Sequence, residues 1–467
     1  MAPFLFIFIA SRLSLFAGLI IMINKIIEFG FYLFIFLLPW QTRLIWQEVF
    51  LNGVEWEYGR FSLYGTEILL WLILILFGLW LWRQRPESGF SFFYFFQQLK
   101  KPLVLTYWLV VLFVIIAGLS VFWALDSNLA FNRFFILLEA ITLFCFVFIF
   151  PHLKIKSIAI SWVGAAALQG VFGIWQFFQQ LIFANKWFGL ANHSPTTAGS
   201  IILQTQSERW LRAYGSLPHP NIFGGFLVLG LIFLIYLALS AKNRQSRIFV
   251  LTSLLLIFPG LFFSFSRSAW LVLILTLLFF SFFVRQSQNR FYQTQFFKIL
   301  ILTALLFSIL LVNLWQPFFT RVIVNQDSEI NSLKLRLTYA QQATALIQNN
   351  FWSGVGLGNY TLAVYQKINQ NWPGWYYQPV HNIYLLVLTE LGFFGALIFY
   401  LVIFLVIGQF VRLVLKKSII KPETLVFILA LIAILIISLF DHYFWSLYFG
   451  QLVFWLILGL NLRLLKK

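Results

Sequence analysis

Charge is scarce in this chain. Only 10% of its 467 residues are Asp, Glu, Lys or Arg, and just 14 of them are acids. A soluble domain carries about a quarter charged residues, so a soluble enzyme and a disordered chain are both excluded. Cysteine is nearly absent: Cys145 stands alone inside an apolar run, so no intramolecular disulfide forms and a secreted disulfide scaffold is excluded. Cys145 reads as a packing residue. The five histidines are not at metal-ligand spacing, so no zinc site is apparent. The alternating pattern of a membrane β-barrel is missing as well.

What is present is apolar. Hydrophobic residues make up 61% of the chain and aromatics 20%, with a mean hydropathy of +0.89. A membrane-crossing helix needs about 20 apolar residues. Twelve stretches qualify, at about 27–40, 63–82, 103–123, 130–150, 158–181, 221–240, 248–265, 269–284, 299–316, 393–415, 424–440 and 445–462. The fold class expected is an all-α polytopic membrane protein of about twelve transmembrane helices, with residues 27–467 as one membrane domain embedded in a lipid bilayer. Residues 1–26 form a further apolar segment interrupted by Arg12, and its reading as a thirteenth span, a signal-like segment or a surface helix stays open.

The net charge of +18 would suggest nucleic acid in a soluble protein. Here Lys and Arg gather at the ends of apolar runs, so no nucleic-acid partner is expected. One set of alternate loops holds about twice as many of them as the other, which marks that side, and both ends of the twelve-span core, as cytoplasmic. Two loops on the opposite side are long, 182–220 and 317–392, and long loops tend to carry function. The second contains a predicted helix over 333–348, with Leu333, Leu337, Ala340, Ala343 and Ile347 as its apolar stripe.

Three polar clusters interrupt the apolar background, and the span count puts all three on the extracytoplasmic face. The first runs from Arg209 through Arg212, Tyr214, Gly215 and His219 to Asn221. The second is the turn Ser264-Phe265-Ser266-Arg267-Ser268-Ala269-Trp270, and the third is His381-Asn382-Ile383-Tyr384, opening a helix through Glu390. A cation at a membrane boundary usually has a partner or a role. The arginine fork suits a phosphate, so Arg267, Arg212 and Arg209 read either as diphosphate ligands or as headgroup anchors. His381 sits at a predicted helix start, where the dipole favours neutral imidazole; it reads as a general base or as a hydrogen-bonded helix-start residue. His219, between Pro218 and Pro220, is expected to position Asn221, the predicted N-cap. Glu67 and Glu139 are intramembrane carboxyls, read as internal partners of Arg43, Arg60 or Arg133. The glycine run at 354–358 lacks a strand–helix setting, so it reads as a tight turn and not as a nucleotide loop. Ser266 lacks a nucleophile-elbow context.

Taken together, Arg212-x-x-Gly215…His219-Pro220-Asn221, the Ser264–Trp270 turn, Arg336 upstream of Gly354-Val355-Gly356-Leu357-Gly358-Asn359-Tyr360, and His381-Asn382-x-Tyr384…Glu390-x-Gly392-x-x-Gly395 resemble the O-antigen ligase and polymerase family. The resemblance spans about residues 200–400, including loop 317–392. It departs at Ser268, where many members have glycine. It implies a metal-independent glycosyltransferase of the bacterial cytoplasmic (inner) membrane that needs no cofactor. The donor would be a polyprenyl-diphosphate-linked glycan, and the acceptor a glycan, lipid or protein hydroxyl. The family includes ligases to lipid A core, chain polymerases and protein O-glycosylating enzymes. It also implies that Arg212, Arg267 and Arg336 bind the diphosphate and that His381 is the base. Arg209, Tyr214, His219, Asn221, Asn382 and Tyr384 would support them. The rival reading, a flippase of lipid-linked oligosaccharide, requires charged residues at mid-span; polar clusters gathered on one face favour an enzyme. Arg267→Ala is expected to abolish glycan transfer while the protein still folds and inserts, which a transfer assay beside a membrane-fraction blot checks.

Overall fold

The computed structural model describes residues 21–84, 101–205, 208–287, 289–323, 327–416 and 420–465. Residues 1–20, most of the N-terminal apolar segment, lie outside them. Each of the twelve apolar stretches is helical. Ten described helices are long and apolar enough to cross a membrane; Pro422–Ile437 is shorter at 16 residues, and the helix over 21–37 begins at the edge of the described chain. The protein is an all-α polytopic membrane protein.

Two helices form the centre. Every residue of Pro220–Leu239 is buried, and nearly all of Tyr448–Leu465. Around them pack Ser127–Ile149, Ile155–Gln179, Arg244–Phe263 and Pro422–Ile437. Lipid tails are as apolar as leucine, so close backbone approach drives such packing: a Cβ on Gly260 would lie 2.9 Å from Gly170 Cα, where Ile155–Gln179 crosses Arg244–Phe263. The outer helices turn large apolar side chains outward, among them Trp82, Leu278 and Phe404, each more than 60% exposed. At one end, Arg463 donates to the carbonyls of Val147, Phe150, Pro151 and Leu153, satisfying groups left open where Ser127–Ile149 stops.

The polar clusters meet at the other end. There the chain adds small β-structures that the apolar pattern did not predict. Arg43–Gln47 pairs antiparallel with Phe61–Tyr64, and Phe50–Leu51 with Val54–Glu55 around an Asn52–Gly53 turn with positive φ at both residues. Ile202–Gln204 pairs with Arg209–Leu211.

Two expectations are corrected. The loop helix is longer, Asp327–Asn349, and its buried stripe is Tyr339, Gln342, Ala343 and Leu346, while Leu333 and Leu337 are 42% and 66% exposed. Apolar residues mark both faces of a helix beside a bilayer, so hydrophobicity alone picks the wrong one. Glu67 and Glu139 hydrogen-bond to each other, not to an arginine, with Trp71 Nε1 donating to Glu139 and Tyr64 N to Glu67. Neighbouring helices bring the two carboxyls together before any cation reaches them.

Ile383–Leu415 breaks at Gly392, whose φ is 67°. The glycine run straps this break: Val355 N and Gly356 N donate to Thr389 O and Glu390 O, both at 2.9 Å. Gly356 has φ +95°, and a Cβ there would meet Ala124 Cβ at 2.4 Å. Gly356→Val is therefore expected to lower stability by roughly 2–4 kcal/mol through backbone strain and overpacking, read as a lower midpoint in thermal unfolding in detergent.

Candidate functional site

The site is built on the turn between Arg244–Phe263 and Arg267–Gln286. Phe265 adopts φ 46°, a left-handed conformation unusual for a bulky residue. The turn aims two successive carbonyls at two arginines: Arg212 Nε donates to Ser264 O and Arg321 Nε to Phe265 O, each at 2.8 Å. Both arginines are buried, at 3% and 7% exposure. Arg267 follows directly as the first residue of its helix, capped by Ser266. Two guanidinium groups thus converge on one turn, and Arg267 opens the helix that follows it. Ser266 Oγ and Ser268 Oγ lie 3.3 Å apart, so Ser268 joins the cap.

Arg212 also leads toward His381. Its Nη2 donates to Asn221 Oδ1 at 2.8 Å, and Asn221 Nδ2 donates to Asp441 Oδ2 at 3.3 Å. Asp441 Oδ1 lies 3.7 Å from His381 Nδ1, an ion-pair distance longer than a hydrogen bond. His381 is a quarter exposed and Asp441 nearly buried. Around this pair stand the His442 ring, 4.9 Å from His381, and the Tyr339 ring at 5.9 Å. Arg336 lies close enough for its charge to act on His442.

The electrostatics separate the groups. Burial alone would raise Asp441, but the contact with His381 and the nearby His442 and His219 hold its carboxyl well below the usual range. Burial, with the charge of His381, pushes His442 down to about 3. Burial, with Arg212, pushes His219 down to about 3. Both imidazoles are neutral at ordinary pH and serve as fixed hydrogen-bonding groups: His442 Nδ1 meets Ser446 Oγ at 2.6 Å, and His219 Nδ1 accepts from Asn221 N at 3.0 Å.

His219, not Asn221, is therefore the N-cap of Pro220–Leu239; Pro220 fits the first turn because it needs no donor there. Asn221 sits one step inside and spends its carboxamide across the site. Asn382 caps Ile383–Leu415, accepting from Leu385 N, and so sets the position of His381 before it. The remaining sequence candidates lie apart from this group. Arg209 is exposed on its strand. Tyr214 stacks on His193 and accepts from Ile201 N, holding loop 182–220. Tyr384 donates to Leu435 O. Three members of the site were not singled out in the sequence. Arg321 lies on the short helix Trp315–Val322. Asp441 closes an apolar run just before His442, and an acid there is a usable signal in a chain so poor in acids. Tyr58 packs its ring 5.9 Å from His442 and donates to Gln378 Oε1 at 2.8 Å.

His381, Asp441 and His442 offer ligand atoms within 4.8 Å of one another, a spacing that a metal ion fits. The adjoining arginines would repel a cation, whereas an anion beside them is favoured. Chemically, the arrangement sets an imidazole beside a carboxylate that is hydrogen-bonded through Asn221 to a buried guanidinium.

Residues 252–400 match the family model described as O-antigen ligase. This bears out the resemblance read from the sequence, and the matched stretch contains Arg267, Arg321, Arg336, the glycine strap and His381. No curated protein matches the chain.

Acid is expected to destabilise the fold. His219 and His442 bind protons less readily folded than unfolded, so their contribution is complete above the ordinary histidine pKa. It is lost as pH falls from about 6.5 toward 3, by up to about 1.4 kcal/mol per pH unit for each group. Asp441 adds to the loss once pH falls below about 4. Thermal unfolding in detergent between pH 7 and 4 should show a falling midpoint, and His442→Gln should flatten the slope.

Proposed function

We propose that this protein is an integral-membrane glycosyltransferase of cell-surface polysaccharide assembly. It moves a glycan from a polyprenyl-diphosphate carrier to an acceptor hydroxyl without a metal ion. The carrying observation is the single hydrogen-bonded path from Arg212 through Asn221 to Asp441, which ends beside His381. It couples an anion-binding cation to a positioned base. The family match supports the same class. On this reading the region of about 200–400 works within one membrane domain, 27–467. The site faces away from the cytoplasm of a bacterial-type cytoplasmic membrane, and both ends of the core lie inside.

His381 takes the proton from the acceptor hydroxyl as its oxygen attacks the anomeric carbon. The bond from that carbon to the diphosphate oxygen breaks, and the polyprenyl diphosphate leaves with the bonding pair. Arg212, Arg267, Arg336 and Arg321 stabilise the charge that grows on it. Asp441 orients His381 and favours the imidazolium that forms. A single displacement inverts the anomeric configuration. Asn221, His219, Asn382, Tyr214, Tyr384 and Arg209 act by support: the first three set the base and the arginines, and the others brace the surrounding loops.

The test is transfer by purified protein in liposomes, supplied with polyprenyl-diphosphate glycan and an acceptor, with chelator present. His381→Ala and Arg267→Ala are expected to lose activity by about 10²-fold or more. Asp441→Asn is expected to lose a comparable factor while keeping the fold. Movement of the lipid-linked glycan across the bilayer without transfer would replace this reading with a flippase, and loss of transfer on chelation would refute its metal independence.

A further inference from the structure

A second cleft lies beside the site. It opens between the Arg43–Tyr64 ribbon and the start of Ser127–Ile149, with a volume of about 560 Å³, within the usual range of a small-molecule pocket. Its walls are aromatic, from Trp46, Trp56, Phe61 and Phe131. Trp46 and Phe131 are 60% and 62% exposed, and Trp46 lies 5.1 Å from Phe61 with the rings tilted. Gln47, Asn128 and Asn132, which carry carboxamides, and the acid Asp126 line the same cleft. A lipid chain asks only for apolar walls. Flat rings together with planar amides instead match a sugar, which offers one face of C–H bonds and a rim of hydroxyls that both donate and accept.

The cleft shares a lining residue with a cavity near the site. Asn132 also lines a smaller cavity of about 30 Å³ together with Arg43, Arg133, Tyr58 and Tyr64. Arg133 Nη2 donates to Tyr58 O at 2.8 Å, and Arg43 Nη1 lies 3.3 Å from Tyr64 OH. Neither arginine forms an ion pair with a carboxylate among the described residues, although Glu57 lines the same cavity and its charge acts on both. Tyr58 then packs on His442. In this order of contacts, Arg212 and Asn221 reach His381 through Asp441, and Tyr58 reaches His442. A donor whose diphosphate sits on the arginines leaves the cleft for the second substrate.

We propose that this cleft binds the acceptor as a saccharide chain, stacking sugar rings on Trp46 and Phe131 and holding hydroxyls with Asn132 and Gln47. The acceptor assignment rests on the glycosyltransferase reading above, whereas saccharide binding does not. The experiment is therefore done first on full-length His381→Ala protein in nanodiscs. It is titrated with soluble neutral and uronic-acid-containing tetrasaccharides and followed by saturation-transfer NMR. Saturable binding is expected, weakened about tenfold by Trp46→Ala and by Asn132→Ala. In the active protein the same two substitutions should raise the acceptor KM about tenfold, with donor KM and kcat at saturating acceptor unchanged. Absence of binding to any tetrasaccharide, or equal affinity in both variants, overturns the proposal. So does quenching of Trp46 by a spin-labelled lipid that no tetrasaccharide relieves, which would make the cleft a lipid groove. Saccharide binding that depends on Trp46, in a parent that transfers no glycan, would leave the cleft standing and remove the enzyme reading.

Discussion

Asn221 holds the site in register. A buried guanidinium and a buried carboxylate are costly apart, and a direct pair would neutralise both. The carboxamide stands between them, giving its oxygen to Arg212 and its amide hydrogens to Asp441. Each charge is partly satisfied and neither is cancelled. On the proposed reading, Arg212 meets the donor's diphosphate and Asp441 orients His381. The wholly buried Pro220–Leu239 helix fixes Asn221 at its second position, and His219, held neutral, fixes the start of that helix.

Much of the body of the fold was legible because apolar runs of membrane length have few other readings. The site was legible as exceptions to that background: Arg212, Arg267, Arg336 and His381 stood out as polar residues where polarity is costly, and the structure gathers them at one end. What stayed hidden depended on pairing between distant segments. Arg321 reaches Phe265 O across 56 residues, and Asn221 reaches Asp441 across 220. The ribbon at 43–64 carried a readable signal, Asn52-Gly53, the favoured dipeptide of a tight hairpin. It was lost between two dominant apolar runs. Leu333 and Leu337 misled for a related reason: beside a bilayer, hydrophobicity marks the outside of a helix as strongly as the inside.

Arginines at the two ends of the molecule do different work with the same chemistry. Arg463 spends its donors on four carbonyls at the end of a helix. Arg212 and Arg321 each give Nε to one carbonyl of a strained turn. A guanidinium has five N–H donors, so a backbone anchor at Nε aims the rest of the fork.

The burial of Pro220–Leu239 also bears on biogenesis. Its neighbours enter the membrane both before it, as Ile155–Gln179, and long after it, as Pro422–Ile437. During synthesis the helix therefore waits in lipid with one flank uncovered. Its composition suits that wait, since apart from Asn221 beside the cap it carries no amide or charge to hydrate. His381, Asp441 and His442 arrive with segments made well after it. On the proposed reading, the bundle stays inactive until Asp441 and His442 emerge, so assembly of the centre waits for segments made long after Pro220–Leu239.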